Sequence, residues 1–292
     1  MRYFDAAVAD SSVAIGLAYG PLIHRVLDTY PTLIDYVEIP FEQLRHAPET
    51  ACIQETLPTV LHCASLSMAG FVPASEETIK SVVAAANSMQ TPWLGEHLAF
   101  ISADPPPGEP ESPEDGEGIS LTYTVCPQYS EETVEQVVRN VNRVRARFQM
   151  PIILENSPQY FEIPGSTMTM ADFVSRVLAA CDIGLLLDLT HFMITCLNTG
   201  RSPQRELDRM PLERVVEVHM SGLSVQSGIA WDDHASAAPD EVFELLPVVA
   251  QRSPVRALTF EYNWSPNLPL PLIKRQIEQA RSILARTHSL VM

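Results

Sequence analysis

Short apolar runs alternate along the chain with longer stretches in which apolar residues recur every three or four positions. The runs VAIGLAY (13–19), YVEIP (36–40), TVLHCA (59–64), WLGEHLAF (93–100), PIILEN (151–156), IGLLLDL (183–189), VVEVHMSG (215–222) and ALTFEYN (257–263) read as β-strands. Between them, SEETIKSVVAAANSM (75–89) opens on Ser75 and Thr78 in a capping-box-like arrangement, and SEETVEQVVRNVNRVRARF (130–148) has Ser130 as N-cap and Thr133 at the third position. LPLIKRQIEQARSILART (269–287) gives a closing helix. Strands alternating with helices pair in parallel through right-handed crossovers, and near-continuous apolar strands are covered on both faces. Eight such units in roughly 250 residues is the count of a (β/α)8 TIM barrel, here an α/β single domain over 1–292. An open doubly wound sheet is the competing arrangement, disfavoured because no G-x-G-x-x-G turn follows the first strand.

One stretch falls outside the repeat. DPPPGEPESPEDGEG (104–118) holds prolines, acids and glycines but no aliphatic residue. It has nothing to bury, so it is expected to be a mobile acidic insertion after strand four.

Composition narrows the function. The 292 residues carry a formal net charge of −17, which argues against a nucleic-acid surface, since that needs a basic patch. No run of 18 apolar residues and no signal-peptide pattern is present, so no membrane partner and a cytoplasmic location are expected. Cys52, Cys63, Cys126, Cys181 and Cys196 are scattered without C-x-x-C, as reduced thiols would be.

The strands end in polar groups: Glu38, His62, Glu96 with His97, Glu155 with Asn156, Asp188 with His191, Glu217 with His219, and Glu261. Asp232, Asp233 and His234 follow strand seven in the loop AWDDHAS. Singly, each has a bland reading: a lone strand-end histidine is usually a hydrogen-bonded structural residue, and Glu38 reads as a rim charge. Glu217, deeper on the same face as His219, reads as a group behind it. Cys63 is expected in the core, because neighbours on a strand point to opposite faces and it cannot partner His62. Jointly, these groups converge on the mouth of a barrel, where active sites collect. That many carboxylates drawn together without compensation repel and are costly to desolvate. Cations remove the conflict; imidazole with carboxylate suits iron, manganese or zinc, and the donor count exceeds one ion's needs. No G-x-S-x-G elbow supports a Ser/His/Asp hydrolase.

The order LH…EH…LEN…LLLD…EVHMSG…DDH…FEYN resembles the multinuclear non-haem iron-dependent oxidative enzymes, most specifically in ILENSPQYF (153–161), LLLDLTHF (185–192), VVEVHMSGL (215–223) and WDDH (231–234). The resemblance implies a TIM barrel holding two or three mixed-valent Fe(II)/Fe(III) ions with dioxygen as co-substrate. It implies iron ligation by His62, His97, Glu155, Asn156, Asp188, His191, His219, Asp232, His234 and Glu261, with Asp188, His191, Glu155 and His219 central to catalysis. The substrate it implies is a ribosomally made precursor peptide, modified at cysteine by β-carbon C–H abstraction and then rearrangement or excision. A separate leader-recognition protein is the implied partner, as a heterodimer. His191, where much of that family has asparagine, is similar to the branches that act in methanobactin biosynthesis or excise a cysteine carbon. The family's D-x-H-G ends here in Ala235. The alternative reading is a divalent-metal isomerase or phosphodiesterase of the xylose-isomerase-like barrels. Those usually carry a catalytic lysine or a phosphate anchor, whereas Lys80 and Lys274 both fall in helical patterns.

Overall fold

The computed structural model describes residues 13–44, 46–47, 49–104 and 119–291, with the side chains of 288–291 left aside. Eight parallel strands close into a barrel: β1 (Ala14–Ala18), β2 (Tyr36–Pro40), β3 (Thr59–Cys63), β4 (Leu94–His97), β7 (Ile152–Glu155), β8 (Gly184–Asp188), β9 (Val215–Met220) and β12 (Ala257–Phe260), in that order around the wall. This is the TIM barrel expected. Outward-facing residues such as Ile15, Val37, Leu61 and Leu154 pack against the surrounding helices in the main core. The inward positions form a second apolar layer of Ala14, Tyr36, Val60, Trp93, Ile153, Leu186 and Ala257, with Val216 against it, which plugs the bore.

The helix Glu76–Met89 begins as expected, with Ser75 Oγ accepting the Thr78 N–H; Ser130 accepts the Thr133 N–H to start Glu131–Val144 in the same way. The last helix runs further than expected, over Leu270–Val291.

Two expectations are corrected, and one falls outside the described residues. WLGEHLAF is not one strand: β4 stops at His97, the Leu98 N–H turns to the Glu155 carbonyl, and Phe100–Ala103 (β5) pairs instead with Ile119–Val125 (β6) as an antiparallel ribbon. The insertion expected at 104–118 lies outside the described residues from 105 onward. AWDDHAS is not a plain loop either: Gly222–Gln226 (β10) and Ile229–Asp233 (β11) form a hairpin. Ser227 and Gly228 both have positive φ (51° and 80°), the two-residue turn whose twist matches a hairpin.

Candidate metal centre

Side chains on a strand alternate between faces, so the residue two beyond each plug position also points into the bore. Tyr36 leads to Glu38, Val60 to His62, Trp93 to Gly95 and then His97, Ile153 to Glu155, Leu186 to Asp188, and Ala257 to Thr259 and Glu261. A register shift between β8 and β9 at Leu185/Leu186 brings Glu217 and His219 inward, with His219 opposite Asp188. Above the dry plug the wall therefore changes within one step to carboxylates and imidazoles.

Glu155 lies at the middle. Its Oε2 is 3.1 Å from His62 Nε2 and 3.2 Å from His97 Nε2, while its Oε1 is 3.4 Å from His191 Nδ1 and 3.6 Å from His219 Nδ1. Asp232 Oδ2 stands between His234 Nε2 (2.8 Å) and His191 Nε2 (3.4 Å). Glu261 Oε2 stands between His219 Nδ1 (3.4 Å) and His234 Nε2 (3.7 Å). Three groups with metal-ligand spacing result: His62–His97–Glu155, His191–Asp232–His234, and Glu155–Asp188–His219–Glu261. A fourth such group, Glu38–Glu217–His219, differs in kind, because both Glu217 oxygens already accept hydrogen bonds, from Trp93 Nε1 (2.6 Å), Thr259 Oγ1 (2.9 Å) and Tyr36 OH (3.1 Å).

The fit to cations rests on which atoms are left over. Both Glu155 oxygens, Asp188 Oδ2, His62 Nε2, His219 Nδ1 and His234 Nε2 are buried without a hydrogen-bond partner. These are atoms that face one another across the bore, at distances short enough for attraction but off the line of a hydrogen bond. Buried polar atoms are almost always paired, so a coherent set of orphans marks a missing ligand. The other imidazole nitrogens are largely fixed: His97 Nδ1 lies 3.2 Å from the Cys63 carbonyl, His191 Nδ1 3.0 Å from the Asn156 carbonyl, and His234 Nδ1 2.9 Å from Asn263 Oδ1. Such anchoring orients imidazole as a metal ligand.

Without a cation, protons bear the compensation. Burial lowers the affinity of His62 for its proton, but the Glu155 carboxylate outweighs it and pushes the imidazole up to about 10; His234, beside Glu261 and Asp232, reaches about 9 by the same balance. Burial raises Glu155, and His97 and His62 overcome it, leaving the carboxyl well below its usual range. Burial wins at Asp188, raised to about 6 against His191, and at Glu38, raised to about 7 against His219.

The structure brings His62, His97, Glu155, Asp188, His191, His219, Asp232, His234 and Glu261 together. Asn156 is elsewhere engaged: its Nδ2 donates to the Asp188 carbonyl (2.9 Å) and its Oδ1 accepts the Asp188 N–H (3.0 Å), so it braces the strand end that carries a donor. Glu38 is no rim charge; it is buried, with Oε2 3.0 Å from His219 Nε2. Glu96 faces away from the bore, accepting the Leu66 N–H, and Asp233 accepts the Ala235 N–H. Ala235 has no positive φ, so the loop holds without glycine there. Cys63 packs in the main core. Asn263 went unassigned in the sequence, although it lies two residues past Glu261 on the same inward side. Gly95 did too: a Cβ there would sit 2.7 Å from His62 Nδ1.

The family described as "RiPP precursor modification enzyme MbnB/TglH/ChrH" matches residues 14–285. A UPF0276 protein of Caulobacter vibrioides is 25% identical over 94% of this chain and 96% of its own length, and one of Paraburkholderia phytofirmans is 28% identical over 80% and 74%. Among solved structures, D-psicose 3-epimerase from Clostridium cellulolyticum H10 (12% identity, TM-score 0.52, 96% and 99% covered) and endonuclease IV from Thermus thermophilus (14%, 0.54, 94% and 99%) share the fold.

Proposed function

Because the chain belongs to the family of RiPP precursor modification enzymes MbnB/TglH/ChrH, we propose that it is an iron- and dioxygen-dependent oxidative enzyme acting on a cysteine of a ribosomally made precursor peptide. A separate protein that recognises the peptide's leader is the partner, and the cytoplasm is the compartment. The observation that carries the reading is the coherent set of orphaned donors at the barrel mouth. His62, His97 and Glu155 would hold one ion and His191, Asp232 and His234 a second; Asp188, His219 and Glu261, sharing Glu155, would hold a third or bridge the two. Imidazole plus carboxylate without thiolate suits Fe(II) and Fe(III). Bound iron supplies the one-electron chemistry with dioxygen that protein side chains lack.

The chain's own residues do the rest. The apolar plug beneath the centre keeps water from entering through the bore. Anchored imidazoles and the shared Glu155 hold donors in place before any substrate arrives, which lowers reorganisation during reaction. At the rim, Trp264 stacks on His234 (4.3 Å between centroids) and Tyr160 stacks on Trp231 (4.5 Å), while both tryptophans remain partly exposed; they offer apolar contact to a peptide beside the second triad.

The test is metal analysis of purified protein, followed by aerobic incubation with a cysteine-bearing precursor peptide encoded beside it and mass spectrometry. Two or three irons per chain and an oxidative mass change in the peptide are expected. Zinc or manganese with no oxidation would favour the divalent-metal isomerase reading, which otherwise has only the shared fold behind it. Lys80 is exposed on an outer helix, and Lys274 lies over the Tyr30 ring.

A further inference from the structure

We infer that Glu38, backed by Glu217, is a positioning residue that inverts His219, so that His219 meets the metal centre through Nδ1 while three other histidines meet it through Nε2. The inference rests on the metal-centre reading above. In His97, His191 and His234 it is Nδ1 that is anchored on oxygen, leaving Nε2 at 3.2 Å from Glu155, 3.4 Å from Asp232 and 2.8 Å from Asp232. His219 is the reverse. Its Nε2 lies 3.0 Å from Glu38 Oε2 and 3.7 Å from Glu217 Oε1, and its Nδ1 lies 3.4 Å from Glu261 and 3.6 Å from Glu155. Both nitrogens face carboxylates, but only Nε2 makes a hydrogen bond, to Glu38, and so carries the proton; Nδ1 is buried without a hydrogen-bond partner and is the nitrogen left to ligate.

The division of labour between the two glutamates follows from their partners. Glu217 is pinned by Trp93, Thr259 and Tyr36, and Tyr36 OH lies 2.6 Å from Thr259 Oγ1, which closes the network. Both Glu217 oxygens therefore already accept hydrogen bonds, and the carboxylate forms a fixed floor. Glu38 is the acceptor for the His219 N–H, and its other oxygen is buried without a partner. Nδ1 is bonded directly to Cγ, whereas Nε2 is at the far side of the ring. An ion held on Nδ1 would consequently lie closer to the β9 backbone than one held through Nε2. A carboxylate on the remote N–H also makes the ligating nitrogen more basic.

The experiment uses protein loaded with Zn(II) as a diamagnetic probe and labelled with [15N]histidine, read by two-bond 1H–15N correlation, with His219 assigned by its loss in His219→Gln. Wild-type protein is expected to show His219 coordinated through Nδ1 with a proton on Nε2, and His97, His191 and His234 the other way round. Coordination of His219 through Nε2 would overturn the inference while leaving the metal centre standing; absence of any bound metal would overturn both. In Glu38→Gln, affinity for the ion at His219 should fall about 10–100-fold, with the ion at His62–His97 retained and affinity partly restored in Glu38→Asp. Unchanged affinity and an unchanged His219 pattern in Glu38→Gln would count against it. Should that variant fail to fold, the wild-type spectrum decides alone.

Discussion

Asp188 caps the helix that carries His191: its Oδ1 accepts the His191 backbone N–H at 2.5 Å, and its Oδ2 is buried with no hydrogen-bonding partner. One carboxylate thus ends strand β8, starts the helix Leu189–Asn198 and leaves an oxygen for the cluster. The two roles separate by substitution. Asp188→Asn keeps a good N-cap, whereas Asp188→Ala removes it at a cost of about 1 kcal/mol. Both should lose at least one ion per chain, but only Asp188→Ala should melt lower when metal-free. Calorimetry in chelator together with metal analysis reads both, and full iron content in Asp188→Asn would exclude Asp188 as a ligand.

Glu155 gives each of its oxygens to a different pair of histidines. Glu155→Gln should therefore deplete more than one ion, while His97→Ala should deplete the His62–His97 ion alone. Counting irons per chain in the two variants checks this; equal losses would mean that Glu155 serves one ion only.

Gly95 makes room for a ligand. An added methyl would lie 2.7 Å from His62 Nδ1 and 3.1 Å from Leu186 Cδ1, both in the packed interior. Gly95→Ala is expected to destabilise the metal-free protein by about 1–3 kcal/mol through overpacking. It should also weaken the ion at His62, since that ring must move. Denaturant titration and zinc titration would show the pair of effects.

The metal-free protein should lose stability as pH rises. His62 and His234 are held at about 10 and about 9, above the ordinary 6.5. Their protons stabilise the fold fully below pH 6.5, and that contribution is lost as pH climbs through 9 to 10. Asp188 and Glu38, raised by burial to about 6 and about 7, act in the same direction, because the folded state resists their ionisation. The melting temperature in chelator should fall from about pH 5 to pH 10. Metal-loaded protein should show a flatter profile, since cations replace the protons. A melting temperature rising across that range would contradict the assignment of these groups to one shared cluster.

The barrel was legible because apolar runs at regular spacing permit few other topologies, and the donors were legible because a two-residue period carries them above the plug. What escaped the sequence was partnership. Nothing local to YVEIP reveals that Glu38 is buried against His219, 181 residues away. Asn156 was a ligand only by resemblance, and nothing local to LEN reveals that its amide pairs with the Asp188 backbone 32 residues on. The hairpin 222–233 did carry a local signal, Ser227–Gly228 between two alternating runs, but the acids at its end drew the reading toward a loop.

That hairpin pairs with no strand of the barrel wall. It is held to the helix Leu189–Asn198 by a two-way clamp, Asn198 donating to the Ala230 carbonyl (2.9 Å) and accepting the Ala230 N–H (2.8 Å). It nevertheless delivers Asp232 and, just past its end, His234. The donors are thus drawn from two separate sheets, the barrel wall and the hairpin. Substitutions within residues 222–234 should therefore act first on the His191–Asp232–His234 group, while the donors carried by the wall strands keep their backbone support.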